Sequence, residues 1–260
     1  MMKLSFFRDL IFVPRCVGCG ARFNVISERD GGRDSYCDEC RAAYEREKLE
    51  SCSGCGVAAI ECMCAPKPLE KKYIDCISLV KFGRSRCVDR LIYALKKRRN
   101  DRNFEFVSDE LAKRFLSYSY QSGVESSAVI FTSVPTKESS IDKCGFDHAH
   151  RLARMTADRL DSEYSELLIR VSDGRDQKKL DLTKRQKNVM GRFEIAPSAD
   201  IDGRSVVLVD DVVTTGSTAS ECIKALRDAG ASKIILLSIS RTAPKAVARR
   251  KSPTRKSKNV

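Results

Sequence analysis

The sequence predicts an α/β fold, a mostly parallel sheet flanked by helices, with a small cysteine-organised module ahead of it. Three observations carry this. Val206, Val207, Leu208 and Val209 form a continuous aliphatic run that suits a strand buried on both faces, and a turn and a helical pattern follow it. A second apolar run at 234–240 comes after that helix, so strand, helix and strand make one parallel βαβ unit. Eight of the 12 cysteines fall between positions 16 and 64, and they fall in pairs. At 260 residues the chain can bury one good-sized core and still carry an accessory module.

The N-terminal stretch MMKLSFFRDLIFVPRC reads as an amphipathic helix rather than a signal peptide, because Arg8 and Asp9 break its apolar run and no small-residue cleavage site follows. No run approaches the ~18 apolar residues of a membrane span, so a cytoplasmic protein without a membrane span is expected. Cys16-x2-Cys19 is followed by Cys37-x2-Cys40, then by Cys52-x2-Cys55 and the tighter pair Cys62-x-Cys64. Gly20 and Gly56 let the chain turn behind the first cysteines of each set, so that N–H groups face sulfur. Four thiolates around Zn2+ make a closed structural site that contributes folding energy where no large core exists. The first set has ribbon spacing; the second departs from it at its last pair, so one or two structural Zn2+ are expected. Paired C-x2-C spacing without a secretion signal favours metal over disulfides. The absence of histidine from the segment favours a structural over a catalytic ion. Cys76, Cys87, Cys144 and Cys222 read as buried small apolar residues.

Residues 1–68 form this module, 69–243 the α/β domain, and 244–260 a Ser/Lys/Arg/Pro-rich tail without apolar periodicity that reads as disordered. Within the domain, Val88, Leu91, Ile92 and Leu95 have helical spacing, and the basic cluster at Lys96 and Lys97 suits the C-terminal end of that helix dipole. Ala128 to Phe131 reads as a strand, Val134-Pro135 as a turn, and the chain becomes helical after Phe146. His148 and His150, two residues apart on that helix, do not share a face and read as ordinary surface or partly packed side chains. Residues 170–195 read as a long polar loop with a short strand. The strand from Val206 runs into Asp210-Asp211, and Thr214-Thr215-Gly216-Ser217-Thr218 opens the next helix, whose apolar positions are Cys222, Ile223, Leu226 and Ala229 before Gly230. Small residues at a helix N-terminus suit an anion. The paired carboxylates suit sugar hydroxyls rather than phosphate. A net charge of +13 points to a polyanionic partner or small anionic ligands.

The stretch VVLVDDVVTTGSTAS resembles the signature by which type I phosphoribosyltransferases bind phosphoribosyl pyrophosphate (PRPP). The resemblance implies that Asp210 and Asp211 hold the ribose hydroxyls and serve catalysis. It implies that Val213, Thr214, Thr215, Gly216, Ser217 and Thr218 hold the 5′-phosphate, and that Mg2+ accompanies PRPP. The cysteine module ahead of such a domain resembles the double zinc ribbon of the ComF family of competence proteins. Phe82-Gly83 and the order Gln177, Leu180, Arg185, Asn188, Gly191, Phe193 agree with it, the latter in the region of the family's mobile loop. The resemblance spans roughly residues 4–243. It places pyrophosphate beside Lys137, Lys143 and Arg185. Cys144 stands where the family has arginine and Asp147 where it has asparagine, which removes a bidentate clamp that lysine does not reproduce. The family role implied is help with uptake of transforming DNA, with single-stranded DNA or a competence helicase as partner. The alternative is a phosphoribosyltransferase that passes ribose 5-phosphate to a nucleobase or amine. A glutamine-dependent amidotransferase is not expected, because the chain starts Met1-Met2-Lys3 and carries the zinc module where a glutaminase domain would stand.

Overall fold

The computed structural model of the protein describes residues 15–23, 34–70, 74–81, 83, 86–171 and 193–242. The expected N-terminal helix, Phe82, most of the 170–195 loop including Arg185, and the basic tail lie outside these residues. The parallel strands β1 (Asp75–Lys81), β2 (Val129–Ser133), β3 (Glu163–Tyr164), β6 (Ser205–Val213) and β7 (Lys233–Arg241) form one five-stranded sheet in the order β1-β7-β6-β2-β3. The predicted βαβ unit is β6, α7 (Ser217–Asp228) and β7, with Val206 opposite Ile234 and Leu208 opposite Leu236. On its other side β6 pairs β2, with Val206 opposite Ile130 and Leu208 opposite Thr132. The chain leaves β2 toward one sheet edge and β6 toward the other, so the crevice between their C-terminal ends is the switch point where open α/β sheets bind ligands.

Alternation sorts the strand residues into two cores. Phe131, Val207, Val209, Ile235 and Leu237 face a layer made by α3 (Arg86–Lys97), α4 (Asp101–Ser122) and α6 (His148–Arg159). Ile130, Val206, Leu208, Ile234 and Leu236 face α7 and the antiparallel pair β4 (Leu168–Arg170) and β5 (Phe193–Ile195). The four apolar residues predicted for α3 are all buried. Helix α4, unforeseen from the sequence pattern, starts at an Asn100 cap that accepts from the Arg102 N–H at 3.1 Å and stops at Gly123, whose φ of 70° is left-handed. Of the single cysteines, Cys76 and Cys222 are buried as expected, whereas Cys87 and Cys144 are half-exposed. Cys87 faces the first cysteine set, and Cys144 ends the short helix α5 (Glu138–Cys144), which buries no residue.

Helix α1 (Asp38–Leu49) belongs to the cysteine module and docks it on α4. Tyr44 and Tyr36 stack edge-on against Phe106, with ring centroids 5.7 and 5.4 Å away. Beside them the buried Glu110 accepts from Lys48 Nζ at 2.6 Å, Tyr44 Oη at 3.1 Å, Lys113 Nζ at 3.2 Å and Arg41 Nη2 at 3.5 Å. Burial opposes the Glu110 charge, but the Lys48 hydrogen bond and the surrounding cations hold its carboxyl below the usual 4.5. A depressed folded-state value means that the stabilisation is complete above about 4.5 and is lost as pH falls through the lower folded value. Glu110→Gln should therefore lower urea-unfolding stability by about 2 kcal/mol near neutral pH, and the gap to wild type should narrow as pH falls below 4.5 through the lower folded value. A pH-independent gap would contradict this assignment.

Candidate functional site

Asp210 and Asp211 sit at the C-terminal end of β6, and the period of two sends them to opposite sides of the sheet. Asp211 turns to the α3–α6 layer. Its Oδ2 lies 2.6 Å from Lys96 Nζ, at the end of α3, and 3.5 Å from His148 Nε2, in the first turn of α6. Its Oδ1 accepts from the Val212 N–H at 2.7 Å, and Asp210 Oδ1 accepts from the Asp211 N–H at 2.8 Å. Burial and then the neighbouring Asp211 charge push the Asp210 carboxyl up to about 8. Burial would raise Asp211 as well, but the nearby His148 imidazole and the Lys96 ammonium hold it down at about 2. The pair therefore carries one firmly ionised carboxylate and one that keeps its proton into the neutral range.

After Val213 the chain turns through exposed Thr214 and Thr215 to buried Gly216, whose φ of 77° is left-handed and which caps α7. Thr215 Oγ1 accepts from the Ser217 N–H at 3.3 Å and stands 3.0 Å from Ser217 Oγ. Ser217 and Thr218 are exposed, so their hydroxyls are open to solvent at the positive end of a 12-residue helix. The predicted carboxylate pair and anion loop are thus contiguous, at the end of one strand.

The turn after β2 runs beside them, with the Val134 N–H donating to Val209 O at 3.0 Å. Asp147 caps α6, accepting from the Ala149 and His150 N–H groups at 2.9 and 3.1 Å and from Thr136 Oγ1 at 2.8 Å. The residue that departs from the family asparagine thereby ties the β2 turn to the helix that carries His148. Lys137 and Lys143 are exposed at the two ends of α5. His150, on another face from His148 as expected, has Nδ1 3.0 Å from Tyr164 Oη and 3.0 Å from Glu166. Lys96 and His148 are the site residues that sequence reasoning missed. The basic end of α3 looked like a dipole partner, and nothing in the sequence joins either residue to Asp211. Along α6 a cavity of about 420 Å³ is lined by Arg99, Arg151, Arg154, Asp147, Asp158 and Phe146.

Each predicted cysteine set closes into a cluster: Cys16, Cys19, Cys37 and Cys40 in one, Cys52, Cys55, Cys62 and Cys64 in the other, with all four sulfurs within 4.8 Å of one another. A tetrahedral ion with metal–sulfur bonds of ~2.3 Å needs sulfurs ~3.8 Å apart, which fits. Both knuckles turn at left-handed glycines, Gly20 (φ 83°) and Gly56 (φ 79°). The Cys37 N–H donates to Cys16 Sγ at 3.3 Å. Beside the second cluster, buried Arg114 and Arg241 keep guanidinium nitrogens without hydrogen-bond partners, and both interact electrostatically with Cys62. A metal-bound tetrathiolate is net negative, the charge these buried cations would offset.

Residues 149–260 match the family model described as a phosphoribosyl transferase domain. Competence protein F of Haemophilus influenzae (strain ATCC 51907 / DSM 11121 / KW20 / Rd) is 33% identical over 99 residues, which cover 37% of this chain and 43% of that protein. The chain thus spans less than half the length of this relative. Solved structures with weaker likeness include an orotate phosphoribosyltransferase from Aeropyrum pernix (18% identity, TM-score 0.35, covering 64% of this chain and 71% of that one). Another is the glutamine PRPP amidotransferase from B. subtilis complexed with ADP and GMP (19%, 0.36, 61% and 29%). Likeness at that level says nothing of what this chain binds. The phosphoribosyl transferase match, the competence-protein relative and the two cysteine clusters fit a ComF-like protein.

The carboxylate pair should titrate by carboxyl 13C NMR in two separated steps, one near 2 and one near 8, and Lys96→Met should raise the lower one. A single transition near the ordinary aspartate value of 3.8 would contradict the geometry.

Proposed function

We propose that this ComF-like chain binds PRPP, or a closely related sugar phosphate, at the end of β6 and assists the handling of transforming DNA in the cytoplasm. The observation that supports the ligand is the contiguity of Asp210 and Asp211 with the exposed loop Thr214–Thr218 at the start of α7. The loop's hydroxyls and amides take the 5′-phosphate, and the carboxylates accept hydrogen bonds from the ribose 2′ and 3′ hydroxyls. Asp210 and Asp211 are hard carboxylate donors that would face a Mg2+ ion accompanying PRPP, which would supply charge neutralisation to the pyrophosphate. Zn2+ is the ion that suits two all-cysteine clusters, with a structural role.

The DNA side of the proposal rests on the competence-protein relative and on charge. Arg99, Arg151 and Arg154 line the cavity along α6 together with Asp147 and Asp158, and Arg151 pairs with Asp101. Arginines along a groove suit the phosphate backbone of a single strand. A second reading is turnover, and the cations converging on Asp211 favour it. In that case an acceptor's lone pair forms a bond to ribose C1 while the C1–O bond to pyrophosphate breaks, and the leaving group takes the electron pair. Asp210 and Asp211 stabilise the positive charge that develops on the ribose, and Lys137 and Lys143, exposed at the two ends of α5, offer positive charge to the pyrophosphate. Catalysis of this kind is positioning plus electrostatics.

Titration calorimetry with Mg2+-PRPP should give saturable binding, and Asp210→Asn/Asp211→Asn should weaken it at least about tenfold, the loss of one or two charged hydrogen bonds. Absent or unaltered binding would remove the ligand assignment. A deletion strain of a transformable host should lose recombinants while growing normally. Pyrophosphate released with a nucleobase or amine, together with intact transformation, would decide for the second reading.

A further inference from the structure

The chain leaving the second cysteine cluster lands on the loop between β6 and α7. From Cys64 it passes through Ala65 and Pro66 into the short helix α2 (Lys67–Glu70), which packs on α7. Leu69 is fully buried in the α7-side core. A Cβ added to Gly216 would stand 3.1 Å from Leu69 Cδ1 and 3.2 Å from Pro66 Cβ, so these side chains press directly on that glycine's backbone. Gly216 is the left-handed residue that turns the chain into α7. Whatever fixes it fixes where the amides of the helix's first turn point. The other end of the loop is held from the same cluster. Arg241 Nη2 donates to Cys62 O at 2.8 Å and Nε to Ser78 Oγ at 2.9 Å. Arg241 pairs in register with Val213, and the Thr242 N–H donates to Val213 O at 2.9 Å.

We propose that Pro66 and Leu69 are positioning residues for the loop 214–218, and that metal in the 52–64 cluster sets the loop's affinity for a sugar phosphate through them. This rests on reading that loop as the phosphate cradle. A four-residue helix does not persist on its own. Two things hold α2 against Gly216: the burial of Leu69, and the tether at Cys64, two residues before the stiff ring of Pro66. Metal bound at Cys64 fixes the near end of that segment; its loss leaves α2 free to lift from Gly216. The first cluster has no such path, since Cys16 and Cys40 pack in the core on the opposite face of the sheet.

Leu69→Ala, the volume-conserving Leu69→Met and Cys64→Ser in the full chain separate the possibilities, with metal content measured for each. Calorimetry would use ribose 5-phosphate and, as a ligand without a 5′-phosphate, magnesium pyrophosphate; hydrogen exchange of the 213–220 peptide would be followed without ligand. Leu69→Ala and Cys64→Ser should weaken ribose 5-phosphate about tenfold, as expected for a displaced binding group, leave magnesium pyrophosphate unchanged and speed exchange at 214–218. Leu69→Met should restore both readouts. Folded Leu69→Ala or Cys64→Ser protein with wild-type exchange and affinity overturns the proposal, as does equal weakening of both ligands. If wild type binds no ribose 5-phosphate yet exchange still responds to both variants, the buttress stands and the ligand reading falls.

Discussion

Two adjacent aspartates at the end of a strand buried on both faces are the constraint to which the surrounding structure answers. Strand alternation sends them to opposite sides, so each needs its own compensation. Asp211 finds it in the helix layer, where the end of α3 brings Lys96 and the start of α6 brings His148 to the same oxygen. Asp210 turns toward α7, finds no cation as close among the described residues, and is pushed to hold its proton. The placement of α3 and α6 is therefore an electrostatic requirement of β6 as well as a packing solution. Asp147 serves the same end by capping α6 and fixing the β2 turn beside it.

Much of this could be read in the sequence because it is local. The apolar run before Asp210, the small-residue loop and the helical spacing after it specify β6, the turn and α7 within a few residues of their observed bounds. The cysteine pairs likewise announce their clusters, because metal-ligand spacing is a short-range signal. What was hidden is contact across the chain. Lys96 and Asp211 are brought together by the packing of α3 on the sheet, and a lysine at a helix end looks the same whether or not a carboxylate lies opposite. Helix α4 was missed for a related reason. Apart from its apolar face it buries Asn103, Ser108, Glu110 and Arg114, so its pattern does not read as a simple amphipathic stripe. Cys87 reads as a core residue by type, yet it is half-exposed and set against Cys40, a neighbourhood visible only in three dimensions.

The cysteine module is built into the α/β unit rather than appended to it, with Tyr36 Oη also donating to Cys87 O and Arg90 to Gly18 O. Through Glu110 and the Tyr36–Tyr44–Phe106 group it supports the helix layer. Through Arg241, Pro66 and Leu69 it reaches the turn that aims the helix amides of α7. Both contacts place cysteine-clustered backbone behind β6 and the turn into α7, a support for the proposed anion loop that does not depend on a ligand.

In the proposed complex a sugar phosphate sits across the end of β6, its phosphate on the loop before α7 and its diol on the aspartates. A crystal structure with ribose 5-phosphate and Mg2+ tests it most directly. Phosphate oxygens should lie within hydrogen-bond distance of the backbone and hydroxyls of residues 214–218, and ribose hydroxyls on Asp210 and Asp211. Phosphate bound instead in the arginine-lined cavity along α6, with Asp211 still paired to Lys96 and no sugar beside it, would contradict it.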